Sequence, residues 1–81
     1  MLIKMYTRNQ CSFCFAAKRL LTKRGIDYEE ILLNGDPAPE QEMRALSGRT
    51  SVPQIFIDGK AIGGYAELVE LDMDGELEVG L

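Results

Sequence analysis

The 81-residue chain carries 9 Lys and Arg against 13 Asp and Glu, has no histidine, and is 46% hydrophobic with a net charge of −4. A chain of this size supports one domain with one core, so residues 1–81 are read as a single domain. The acidic balance excludes general nucleic-acid binding, and no apolar run approaches the roughly 20 residues of a membrane span, so neither nucleic acid nor membrane is expected as a partner.

The start, Met1 to Tyr6, lacks a basic leader and a small-residue cleavage site. It reads as a first strand over Leu2–Tyr6, and the expected compartment is the reducing cytoplasm. Thr7-Arg8-Asn9-Gln10 is a polar connection to Cys11-Ser12-Phe13-Cys14. From Ser12 to Arg24 the spacing of Phe13, Ala16, Ala17, Leu20 and Leu21 predicts a helix with one apolar face, ended by Gly25. Cys11 then lies at the helix N-terminus, where unpaired N–H groups and the helix dipole favour the thiolate. Thiolate is the reactive species, so Cys11 is expected to be the outward nucleophile and Cys14, one turn further in, the resolving thiol.

Other uses of two cysteines fit less well. A disulfide between them encloses too short a loop to restrain much of the unfolded chain. A structural zinc site needs four Cys or His ligands, which one chain with two cysteines and no histidine cannot supply, although two chains together could.

Charge is segregated along the sequence. Every charge before Asp27 is basic (Lys4, Arg8, Lys18, Arg19, Lys23, Arg24), and every charge after Lys60 is acidic. Two readings stand: Lys23 and Arg24 complement a helix C-terminus while the others form a solvated face, or the cations make a positive rim around Cys11 that attracts an anionic thiol substrate. Arg8, three residues before Cys11, is the cation singled out in the second.

Asp27–Leu33 reads as a second strand, completing a right-handed parallel unit. Asn34 to Pro39 is turn chemistry with Asp36 as an N-cap. The helix that follows, Ala38–Ser47, is expected to turn Met43 and Leu46 inward, to pair Glu40 with Arg44 and to close at Gly48. Val52–Ile57 is a third strand, and Asp58-Gly59 predicts a hairpin into a fourth over Lys60–Ile62. Pro53 has no N–H and suits a strand start, leaving the backbone beside it open to another partner. After Gly63-Gly64 a last helix is expected over Tyr65–Met73, ended by Gly75, with an acidic and weakly patterned tail from Glu76 to Leu81. The order βαβαββα predicts an α/β fold, a mixed four-stranded sheet flanked by three helices.

Three separated motifs, Cys11-Ser12-Phe13-Cys14, Thr50-Ser51-Val52-Pro53 and Gly63-Gly64-Tyr65, together resemble the glutaredoxins of the thioredoxin-like superfamily. The resemblance implies a cis Pro53 beside the cysteines and a groove for glutathione. Within it, Cys11 and Cys14 resemble the family's catalytic pair, and Arg8 falls where a basic residue meets the glutathione glycine carboxylate. Val52 resembles the residue whose backbone pairs with the glutathione cysteine moiety, flanked by Ser51 and Pro53. Gly64, Tyr65 and Glu67 fall at the γ-glutamyl end, and Phe13 is counted with the groove. The implied activity is glutathione-dependent reduction of protein disulfides and protein–glutathione mixed disulfides by a monomer that requires no metal. Ribonucleotide reductase and glutathionylated enzymes are among the substrates it suggests. An alternative is glutathione-assisted binding of a [2Fe-2S] cluster by a dimer, suggested by Ser12. Many dithiol members carry Pro and Tyr where this chain has Ser12 and Phe13, and smaller or more polar residues where it has Tyr65 and Ala66.

Overall fold

Alternation along β1 (Ile3–Thr7) sets the layers of the molecule, described by a computed structural model over residues 1–77. Ile3 and Met5 point to one face of the sheet, where they join Ala17, Leu21, Ile55 and Leu68; Tyr6 points to the other, where it joins Leu33, Met43 and Phe56. Each face therefore has its own core. The first is covered by α1 (Ser12–Lys23) and α3 (Tyr65–Met73), the second by α2 (Pro37–Ser47). With β2 (Glu29–Leu32), β3 (Gln54–Ile57) and β4 (Lys60–Gly63), the strands lie in the order β2-β1-β3-β4. β2 runs parallel to β1, and β3 and β4 are each antiparallel to their inner neighbour. This is the expected mixed sheet with three helices. No helix among the described residues is long and apolar enough to cross a membrane.

Local chemistry ends the elements close to where it should. Gly25 (φ +71°) and Gly48 (φ +72°) take the left-handed conformation after α1 and α2, and the Asp36 side chain accepts the Ala38 N–H at 3.1 Å to cap α2. Asp58 and Gly59 both have positive φ, the geometry of a two-residue hairpin whose twist matches its strands.

Several expectations are corrected. β2 begins at Glu29 rather than Asp27, with Tyr28 packed against the first core, and β3 begins at Gln54 rather than Val52 because Pro53 offers no ladder donor. Leu46 is 58% exposed and lines an open hollow with Met1, Leu2 and Phe56, and Met43 is the α2 residue that is fully buried. Glu40 pairs with Arg8 across the fold instead of with Arg44 along its helix. Phe13 is 62% exposed, so the inward stripe of α1 is Cys14, Ala17 and Leu21. In the tail, Leu77 is buried in the first core, a contact its acidic neighbours concealed. Glu78 to Leu81 lie outside the described residues.

Candidate active site

The two cysteines sit where β1 gives way to α1, after a turn in which Gln10 takes positive φ. Cys11 is the N-cap of α1, with extended backbone, and its Sγ accepts the Cys14 N–H at 3.1 Å. A side-chain acceptor at this position satisfies an otherwise unpaired helix donor, and a negative sulfur accepts more strongly than a neutral one, so the helix start favours the thiolate. The two residues are joined as a disulfide. Cys14 is 1% exposed whereas Cys11 is half-buried. Only Cys11 can meet a substrate without rearrangement of the core.

Beside Cys11 runs the segment Ser51-Val52-Pro53. The Val52–Pro53 peptide bond is cis, as the resemblance implies, and the Val52 carbonyl lies 4.0 Å from Cys11 Sγ, in reach of the S–H of the dithiol form. Val52 stands ahead of the β1–β3 ladder, which starts at the Tyr6–Gln54 pair. A groove of about 270 Å³ opens here, bringing together Phe13, Ser51, Val52, Pro53, Gly64, Tyr65 and Glu67. One wall is an aromatic stack of exposed Phe13 on half-buried Tyr65, their rings 5.9 Å apart at 28°.

The floor is shaped by glycine. A Cβ on Gly64 would stand 3.2 Å from the Pro53 carbonyl oxygen, so α3 starts as close to the cis-proline segment as it does because nothing projects there. The Gly64 N–H donates to Glu67 Oε1 at 2.7 Å. That bond, with a smaller contribution from the Arg49 charge, holds the Glu67 carboxyl below its ordinary value. Glu67 is therefore an anion at neutral pH that also caps its own helix. Arg49 and Gln54 line the same groove without having been expected there. Arg49 lies two residues before Ser51, in a stretch that reads only as a return to the sheet, and carries no signal beyond its charge.

Arg8 does not line this groove; its guanidinium is 3.3 Å from Glu40 Oε1. Three of the other cations before Asp27 are likewise paired with carboxylates. Lys18 is held by Glu30 at 2.9 Å, Lys4 by Glu42 at 3.3 Å and Arg24 by Asp72 at 2.7 Å. A wider hollow of about 620 Å³, lined by Met1, Leu2, Lys4, Tyr28, Leu46 and Phe56, opens at the far end of β1 and holds no thiol. Size alone does not locate the chemistry.

The glutaredoxin family model matches residues 3–62. Over 76 residues the chain is 43% identical to Glutaredoxin 3 of Escherichia coli (strain K12), covering 94% of this chain and 92% of that protein. The chain belongs to the glutaredoxin family. Among solved structures it is similar to the buckwheat glutaredoxin–glutathione complex, with a TM-score of 0.83 and 29% identity over 93% of this chain and 71% of the other. The solution structure of glutaredoxin from Brucella melitensis matches with a TM-score of 0.78 and 39% identity, over 93% and 82%. The fold is the thioredoxin-like fold of glutaredoxins, Cys11 and Cys14 are its redox-active pair, and the family chemistry is thiol–disulfide exchange. The comparisons do not favour the cluster alternative.

Proposed function

We propose that this glutaredoxin is a monomeric glutathione-disulfide oxidoreductase of a reducing cytoplasm, acting on protein–glutathione mixed disulfides and protein disulfides. The observation that carries the reading is the juxtaposition of a half-buried N-cap thiol, Cys11, with the groove beside Val52 and Pro53. An extended γ-glutamyl-cysteinyl-glycine chain suits that groove: its central peptide can pair with the Val52 backbone in strand fashion, placing its sulfur against Cys11. The ammonium of the γ-glutamyl end suits the Glu67 anion; Arg8, outside the groove but three residues before Cys11, suits the glycine carboxylate where the chain runs past the thiol.

In the first step the Cys11 thiolate attacks the glutathione sulfur of a protein–glutathione disulfide. A Cys11–glutathione disulfide forms, and the protein sulfur leaves as a thiolate that takes up a proton. A second glutathione thiolate then attacks the glutathione sulfur of that intermediate, releasing oxidised glutathione and restoring the Cys11 thiolate. With a protein disulfide, Cys11 forms a mixed disulfide with one substrate sulfur while the other leaves reduced. Cys14, deprotonated, then attacks Cys11 Sγ, the substrate's second thiol departs, and the Cys11–Cys14 disulfide remains for two glutathiones to reduce. No histidine is required, because the helix start itself favours the thiolate.

The test supplies reductant in two ways. NADPH oxidation is followed on a glutathione mixed disulfide with glutathione and glutathione reductase, and separately with thioredoxin reductase alone. Turnover with the first system is expected; turnover with only the second contradicts the reading.

A further inference from the structure

In the glutathione reading, the cation offered to the substrate's glycine carboxylate already faces a carboxylate of this chain. Arg8 Nη2 is 3.3 Å from Glu40 Oε1, and the two side chains are 39% and 35% exposed. Glu40 stands in the first turn of α2, Arg8 in the connection between β1 and Cys11, so the pair bridges the second-face helix to the loop that carries the nucleophile. Of the other cations, the Lys18 ammonium is held by Glu30 and the Lys4 ammonium by Glu42, and Arg49 lines the groove close enough to Glu67 to act on its carboxyl, so it serves the γ-glutamyl end.

We infer that Glu40 is a specificity-determining residue: it competes with the substrate's carboxylate for Arg8 and sets how strongly this glutaredoxin prefers anionic thiol substrates. The inference rests on the glutathione reading of the groove. A guanidinium has five donors and pairs best with one carboxylate in a bidentate fork; Glu40 meets Arg8 through one nitrogen only, so it competes chiefly through its charge. While Glu40 holds it, an arriving carboxylate meets a neutral pair and a facing negative charge instead of a cation. An ion pair this exposed is weak, so it opens for a substrate that can replace it and acts as a threshold rather than a block. Glu40 touches no reacting atom. Its effect belongs in KM, and only for substrates that carry the anion.

The experiment compares two mixed disulfides on one carrier protein, one with glutathione and one with 2-mercaptoethanol, which has no carboxylate. Glu40→Gln is expected to lower KM for the glutathione disulfide by about two- to fivefold, the factor an exposed ion pair supplies, with kcat within about twofold. The mercaptoethanol disulfide should show no such change in KM. Glu40→Lys should lower the glutathione KM further, and raised salt should shrink the gain in both variants. In an Arg8→Ala background Glu40→Gln should change nothing, because the residue it competes for is gone. Preserved preference for glutathione with an unchanged KM in both Glu40 variants, or an equal fall in KM for both disulfides, overturns the inference and leaves the glutathione reading standing. A wild-type enzyme that handles the two disulfides alike overturns that reading, and the inference with it.

Discussion

At Gly63 the backbone runs at φ +118°, and a Cβ there would lie 2.6 Å from Glu67 Oε1. Both facts count against a side chain: the conformation is one that L residues rarely adopt, and the contact falls on the carboxylate that caps α3 through the Gly64 N–H. Gly64 is different. Its φ of −107° suits any residue, and a Cβ would only press on the Pro53 carbonyl at 3.2 Å. Gly63→Ala is therefore expected to cost about 1–3 kcal/mol and to pull Glu67 off its bond, with Gly64→Ala costing less. Urea unfolding of the reduced proteins gives the stabilities, and KM for a glutathione disulfide reports on the groove. An unchanged midpoint in Gly63→Ala contradicts this account of how α3 is docked.

Between elements, Glu30 joins three of them. Its carboxylate accepts from the buried Thr7 hydroxyl at 2.7 Å and from the Lys18 ammonium at 2.9 Å, tying β2 to the end of β1 and to α1 directly behind the cysteines. The Thr7 hydrogen bond, and then the Lys18 bond, hold the Glu30 carboxyl below its ordinary value. A carboxyl lowered in the folded state contributes stability above its unfolded value, about 4.3, and loses that contribution as the pH falls through the lower folded value. The stability lost in Glu30→Gln should thus be largest near neutral pH and shrink below about pH 4. Unfolding midpoints of wild type and variant across pH 2–7 provide the check; a constant difference would contradict it. Glu42, lowered chiefly by the Tyr6 hydroxyl, and Asp72, lowered chiefly by Arg24, act in the same direction, so the wild-type protein should weaken in acid.

Over the whole molecule, the charge segregation seen along the chain becomes pairing in space. Lys4, Arg8, Lys18 and Arg24 from the basic half each meet a carboxylate from later in the sequence, and Arg24 grips Asp72 through two nitrogens at 2.7 and 2.9 Å. Sequence alone showed the bias but not the partners, because ion pairs between elements depend on tertiary register that no local pattern encodes. The element order was legible for the opposite reason: helix spacing, Gly25, Gly48, Asp36 and the Asp58-Gly59 turn are local signals whose geometry depends little on the rest of the fold. Leu46 and Phe13 were misplaced since helical periodicity marks an apolar side chain without saying whether the sheet extends beneath it. Leu46 lines the open hollow at the far end of β1, and Phe13 leaves the core to stack on Tyr65. The thiols were legible as a pair, and their asymmetry followed from helix position, which the exposures of Cys11 and Cys14 express directly. That asymmetry is the centre of the account, and a side-by-side assay of Cys11→Ser and Cys14→Ser on a glutathione mixed disulfide and on a protein disulfide tests it most directly. Cys11→Ser should abolish exchange on both substrates; Cys14→Ser should retain most activity on the glutathione disulfide, where external glutathione resolves the intermediate, and lose most of it on the protein disulfide. A Cys14→Ser enzyme as inactive on the glutathione disulfide as Cys11→Ser, or a Cys11→Ser enzyme that still exchanges, would contradict it.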